Sequence, residues 1–179
     1  MLRLEQVNHM GTLGGVSVRH ASASDLPDIH AAFLACFSPY HWVMSQGELT
    51  DYLSRLFEPR LGPFGGFLVA SRGGRLLGAA TYDSGHGHEN DIPWGWARLG
   101  ALAVLPEARR MGVGRFLMAS CAAHARAQGA WAFFVRAPEF MVPAVGLAEG
   151  MKLLRLPNLD LPMPSLVGTK ARAYVINLD

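Results

Sequence analysis

Six consecutive residues, Arg109-Arg110-Met111-Gly112-Val113-Gly114, carry the clearest chemical signal in the chain. They follow an apolar stretch ending Leu102-Ala103-Val104 and a break at Leu105-Pro106-Glu107-Ala108, and they open a segment of helical periodicity. A helix that begins on glycines presents backbone N–H groups with no side chain in front of them, at the positive end of its dipole. With arginine, whose charge-assisted hydrogen bonds contribute about 1.5–3 kcal/mol each, such a turn suits a phosphate or pyrophosphate. A second group of titratable residues, Tyr82, Asp83, His86, His88, Glu89 and Asp91, lies in a polar connection upstream. Its histidines and carboxylates have the composition of a general base or a metal site. No other cluster at recognised ligand spacing supports a metal, and none is expected.

Spacing excludes two familiar phosphate loops. A P-loop needs a lysine after its last glycine, and no lysine lies near this turn. A dinucleotide fingerprint starting at Gly112 and Gly114 needs a third glycine where Leu117 stands.

The elements that must position the turn are readable from periodicity and breakers. Val16–Arg19 alternates like a strand after a glycine-containing lead, residues 1–15, expected to be a flexible arm. Ser22 or Ser24 caps a helix carrying Leu26, Ile29, Phe33 and Phe37 on one face, which ends before Pro39. Gln46–Phe57 is a second helix, with Leu49, Leu53 and Leu56 aligned. Phe67–Ala70 and Leu76–Tyr82 form a hairpin around Arg72-Gly73-Gly74. Trp96–Val104 is a strand stopped by Pro106, and Trp94 and Trp96 at its start could wall a pocket or fill the core. Gly112–Gln128 is a helix capped by Gly129, and Trp131–Val135 is a buried strand. A short helix over Pro143–Glu149, a strand over Met151–Leu156, a proline-rich loop and a last strand over Ala171–Leu178 complete the order. No repeat or linker divides residues 16–179, so a single α/β domain is expected.

Composition bounds the partners. The chain has 179 residues, 50% hydrophobic and 17% charged, enough for a core without staples. A net charge of +2 is no basic stripe, so nucleic acid is not expected as a partner. Of the 16 basic residues only Lys152 and Lys170 are lysines, so a single arginine needs supporting context before it means anything. Cys36 and Cys121 lack redox or metal spacing and read as buried thiols. No run of about 18 apolar residues and no leader-like start occurs, so a cytoplasmic protein with no membrane partner is expected.

The order of elements together with the R-x-x-G-x-G turn resembles the GNAT superfamily of acyl-CoA-dependent N-acetyltransferases, over most of the chain from Val16 to Asp179. The resemblance implies a central mixed, mostly antiparallel twisted sheet of about six to seven strands flanked by about four helices. It implies acetyl-CoA as co-substrate, its pantetheine paired with the backbone around Leu102 and Val104 and its pyrophosphate wrapped by Arg109, Arg110, Met111, Gly112, Val113 and Gly114. It implies an acceptor that is a primary amine of a small molecule or peptide, acetylated by direct transfer in a ternary complex. The connection holding Glu89 and His88 faces the acceptor in that family, which makes those two residues the candidate bases. Arg115, just beyond the turn, reads either as solvated surface or as a further phosphate contact.

One family feature is missing. The tyrosine that protonates the departing thiolate sits in a Y-x-x-x-G-F setting in the short helix, which here reads Pro143-Ala144-Val145-Gly146-Leu147-Ala148-Glu149-Gly150-Met151, and no tyrosine occurs between Tyr82 and Tyr174. Either solvent protonates the thiolate, or another residue does, or the protein is a catalytically silent acyl-CoA-binding domain. Glu149 reads as a solvated carboxylate, not a substitute acid. The apolar last strand could also pair with a second copy to give a homodimer.

Overall fold

The structure is a computed structural model that describes residues 12–43, 45–57, 65–83, 93–163 and 168–178. Its strands are β1 (Thr12–Leu13), β2 (Val16–His20), β3 (Gly65–Arg72), β4 (Arg75–Asp83), β5 (Trp96–Val104), β6 (Ala132–Pro138), β7 (Leu154–Arg155), β8 (Leu161–Pro162) and β9 (Lys170–Asn177). Its helices are α1 (Leu26–Phe37), α2 (Gln46–Phe57), α3 (Val113–Ala127) and α4 (Val142–Gly150). All strands join one sheet in the order β1-β2-β3-β4-β5-β6-β9-β7, with β8 also on β9. Every pairing is antiparallel except β5 with β6. Among the described residues the chain thus forms the expected mixed, mostly antiparallel sheet with four α-helices.

Local chemistry accounts for the boundaries. The Ser22 backbone N–H and hydroxyl both donate to the Asp25 carboxylate at 2.7 Å, which Arg19 also holds at 2.7 Å, so the chain enters α1 already fastened. Gly129, at φ +91°, closes α3 as a C-terminal glycine should. Thr12 and Leu13, within the segment expected to be an arm, pair with β2 through a turn at Gly14 and Gly15.

Two core clusters lie on opposite faces of the sheet. On one, Leu68, Ala80, Tyr82, Phe133, Val135 and Tyr174 pack with Leu117, Met118 and Cys121 of α3 and with Leu147 of α4. On the other, Val69, Ala79, Ala101 and Ala103 pack with Ile29 and Phe33 of α1 and Leu49 of α2.

Two expectations are corrected at the C-terminal end. The strand expected over Met151–Leu156 is only Leu154–Arg155, because the N–H groups of Met151, Lys152 and Leu153 are used on carbonyls of Leu147, Glu149 and Ala148 to finish α4. The strand on the other side of β9 is longer than read: β6 continues past Val135 to Pro138. The edge of β9 away from β6 is engaged within the chain by β7 and β8, and between them Ala173 donates to Asp160 and accepts from Leu156.

Candidate active site

The sheet opens at its centre. Trp96, Ala97 and Arg98 of β5 register with Ala132, Phe133 and Phe134 of β6, and the ladder stops there, although β5 runs on to Val104 and β6 to Pro138. The cause is a bulge in β5. Thr81 pairs with Ala101 and Tyr82 with Leu99, which leaves Gly100 as an extra residue. A bulge bends its strand, and the extra residue also reverses the inside–outside phase. Ala97 and Leu99 before it, and Leu102 and Val104 after it, consequently all contact the α3 side, whereas Ala101 and Ala103 face α1. Gly100 suits this place because a Cβ would stand 3.2 Å from Thr81 Cγ2.

The wedge between β5 and β6 has backbone groups to offer. The Leu105 N–H donates to Leu77 on β4 at 2.9 Å, so by strand alternation the N–H and C=O of Leu102 and Val104 point the other way, into the wedge. Their side chains pack in the core, so a ligand meets only main chain, the N–H and C=O of Leu102 and the N–H of Val104, whose carbonyl is taken within the chain.

The turn closes one side of the wedge mouth. Arg110 and Gly112 both take left-handed backbone, φ +64° and +82°, and α3 starts directly after Gly112 with no side-chain cap. Its first N–H bonded to a carbonyl in the usual helical manner is that of Phe116, to Gly112 at 3.0 Å, so the donors of Val113, Gly114 and Arg115 stand ahead of the ladder. A Cβ at Gly112 would meet nothing within 4 Å, whereas one at Gly114 would touch Leu147, Val104 and Leu102. The turn thus faces open space at its tip and is wedged between β5 and α4 at its base. Such strained, donor-rich turns are characteristic of anion sites. Val113 is buried and can act only through its N–H.

The arginines differ in their employment. Arg109 is turned back: its Nε donates to the Val104 carbonyl at 3.3 Å, which also accepts from the Cys36 thiol at 3.3 Å. Burial pushes that thiol up, with Arg109 opposing, so Cys36 is a hydrogen-bond donor and no nucleophile. Cys36 is only half-buried, contrary to expectation; Cys121 is fully buried and its thiol is pushed up by that burial. Arg115 is exposed, the surface role weighed for it, and its guanidinium also donates to the Gly150 carbonyl at 2.8 Å, tying α3 to the end of α4. Glu107, the carboxylate nearest the turn in sequence, is held by Arg75 at 2.8 Å.

Of the upstream polar group, Glu89, His88, His86 and Asp91 lie outside the described residues. Tyr82 points into the core, stacked on His124 with ring centroids 6.2 Å apart, and its hydroxyl is pushed up by burial. Asp83 pairs with Arg98 at 3.5 Å. Trp94 is exposed, while Trp96 packs on Trp131 and Phe134, the core role weighed for it. Among the described residues no group of His, Cys, Asp and Glu could hold a metal ion, and no helix is long and apolar enough to cross a membrane.

In α4, Gly146 stands four residues before Gly150, where the family pattern carries its tyrosine, and a Cβ there would meet nothing within 4 Å. Glu149 accepts from Arg172 and from the Tyr174 hydroxyl, each at 3.3 Å, so it is neither free nor simply solvated. Sequence reasoning missed Gly78. A Cβ at that position would lie 2.5 Å from the Ala103 carbonyl and 3.3 Å from Leu117, so its absence lets β4, β5 and α3 close together beneath the wedge. An isolated glycine in an apolar strand is the signal that could have found it.

The family model for the acetyltransferase (GNAT) family matches residues 26–149. The chain belongs to the GNAT acetyltransferase family. An acyltransferase is the activity that membership supports. Solved structures share the fold. A GCN5-related N-acetyltransferase from Kribbella flavida is 23% identical with a TM-score of 0.70, covering 91% of this chain and 98% of its own. A ribosomal-protein-alanine N-acetyltransferase from Brucella melitensis is 19% identical, TM-score 0.67, covering 89% and 98%. The protein yncA of Salmonella typhimurium, solved with its cofactor acetyl-CoA, is 16% identical, TM-score 0.63, covering 92% and 94%. No curated protein sequence matches this member of the family.

Proposed function

We propose that this GNAT protein transfers an acetyl group from acetyl-CoA to a primary amine of a small molecule or peptide, directly within a ternary complex, and that residues 16–179 act as one acyltransferase domain. The observation that carries the reading is the open wedge between β5 and β6 with an uncapped, glycine-started helix at its mouth. The main chain of Leu102 and Val104 would pair with the pantetheine amides, and Arg109 to Gly114 would hold the pyrophosphate, mainly through N–H groups. The family relative from Salmonella typhimurium, which carries acetyl-CoA, supports that choice of donor.

A thioester is already activated, so the protein has to align the amine, remove its proton and stabilise an oxyanion. An alkyl ammonium of pKa about 10.4 costs roughly 4–5 kcal/mol to deprotonate at pH 7, which a base would reduce. A wedge-facing N–H of β5 serves the oxyanion, and Glu89, with His88 as the other candidate, serves as base. Glu89→Gln then flattens the alkaline-rising rate profile, and an unchanged profile removes Glu89 from the role.

A silent acyl-CoA-binding domain is the second reading, favoured by Gly146 at the place of the family's phenol. Free CoA release from acetyl-CoA over a panel of polyamines, amino acids, aminoglycosides and peptide N-termini separates the two. Release above background with at least one acceptor supports the transferase; tight acetyl-CoA binding with no release on any supports the silent domain.

A further inference from the structure

The connection between α1 and α2 crosses the wedge mouth on the face opposite α3. The last turn of α1, from which it departs, is fixed at the β5 end, where Cys36 donates to Val104. The connection's rings reach the β6 end, where Tyr40 and Trp42 meet Phe140, two residues beyond Pro138, with centroids 5.6 and 5.5 Å apart. Phe140 sits in a fastened turn, since the Glu139 N–H donates to Lys170 and the Met141 N–H to Pro138. The two ring pairs cross at 60° and 70°, which makes a corner of aromatic walls, and Trp42 leaves 58% of its surface exposed there. Glu139, the carboxylate beside this corner, is occupied by Arg172 at 2.9 Å, so the bridge offers rings in preference to charge.

We propose that the acceptor amine carries a flat apolar group, an aryl ring or its equivalent, which docks in the Tyr40–Trp42–Phe140 corner while its amine reaches into the wedge; this rests on the acetyl-transfer reading above. A third ring fits such a corner at the 4.5–7 Å separations that edge-on and offset ring pairs adopt. The rings hold the far end of the acceptor and not the reacting nitrogen, because an aromatic face stabilises an ammonium and would oppose its deprotonation.

The test is equilibrium binding of 2-phenylethylamine and n-butylamine to CoA-loaded protein by calorimetry, followed by acetylation kinetics with both amines, for wild type, Trp42→Ala and Phe140→Leu. The aryl amine binds the wild type about tenfold more tightly than the alkyl amine, and Trp42→Ala brings that ratio close to one, with KM rising and acetyl-CoA affinity unchanged. Phe140→Leu, which keeps apolar volume and removes a ring, lowers the ratio in between. Equal wild-type affinities, or a ratio that survives Trp42→Ala, overturn the proposal. If neither amine is acetylated although the aryl preference and its loss in Trp42→Ala are seen, the corner stands and the transferase reading fails.

Discussion

The guanidinium of Arg115 in α3 donates to the carbonyl oxygen of Gly150, the last residue of α4, at 2.8 Å, joining the two helices that flank the wedge. A cation at a helix C-terminus satisfies an orphan carbonyl and complements the dipole. Arg115→Ala should cost about 1 kcal/mol and lower Tm by about 3 °C. Acetyl-CoA affinity, by calorimetry, should change less than about twofold, whereas Arg110→Ala should weaken it about fivefold through a lost phosphate contact. A large affinity loss on Arg115→Ala would return that residue to the phosphate site.

Gly146 lies on the exposed face of α4 with open space where a side chain would begin. Replacing a helix-interior glycine is itself favourable by about 0.5 kcal/mol, so Gly146→Tyr should not destabilise. It restores the phenol that family members place four residues before the glycine matching Gly150. If thiolate protonation limits turnover here, kcat should rise about tenfold while the KM for acetyl-CoA stays constant. An unchanged kcat in a folded variant means that solvent already protonates the thiolate fast enough.

At the base of the wedge, Gly78→Ala places a methyl 2.5 Å from the Ala103 carbonyl, a backbone atom that cannot swing away. Overpacking of that kind costs about 1–3 kcal/mol, a fall in Tm of several degrees. Because Ala103 adjoins both wedge-facing residues, Leu102 and Val104, acetyl-CoA affinity should fall with stability. Differential scanning fluorimetry beside calorimetry reads both, and a neutral variant would mean that β4 and β5 part without consequence.

Legibility in the sequence followed the range of the forces involved. The ends of α2 and β5, set by Gln46, Phe57, Trp96 and the Pro106 stop, are local and were read as they stand. The bulge at Gly100 was not, because an extra residue shows only when β5 is laid against Thr81 and Tyr82 of another strand. The run Met151–Leu156 looks extended, yet its first N–H groups close the end of α4 through a left-handed Lys152, a stop that no glycine announces. Arg109 and Arg115 carried the right charge but not their partners, Val104 and Gly150, which lie on other elements. Tyr40, Trp42 and Phe140 come together only across the folded mouth.

His124 in α3 meets the His20 ring edge-on at 4.6 Å and lies over Tyr82. Burial, with the neighbouring His20 adding to it, holds its pKa below the usual 6.5. The unfolded chain therefore binds the proton more readily than the folded one. Stability is fully present above about pH 6.5 and declines as pH falls through the lowered folded value. His124→Phe keeps a ring against Tyr82 and removes the titration, so its urea midpoint between pH 7 and pH 5 should vary less than that of the wild type. An identical pH dependence would assign the decline to other groups.

The most direct trial of the anion site uses two substitutions at one residue. Gly112 has φ +82°, so most side chains there add backbone strain that would mimic a loss of binding. Asn and Asp both tolerate left-handed backbone and are nearly isosteric, and neither Cβ would meet any atom within 4 Å. They differ in one negative charge, placed beside the N–H groups of Val113, Gly114 and Arg115. That charge would be welcome to the helix dipole by about 0.3–1 kcal/mol, so Gly112→Asp should be at least as stable as Gly112→Asn. It would also occupy the donors and repel a pyrophosphate. Acetyl-CoA should bind Gly112→Asn within about threefold of the wild type and Gly112→Asp about tenfold or more weakly, a separation of about 1.4 kcal/mol. Stability rising while affinity falls is the combination expected only if the turn's donors serve an external anion, and equal affinities in the two variants would remove the pyrophosphate from it.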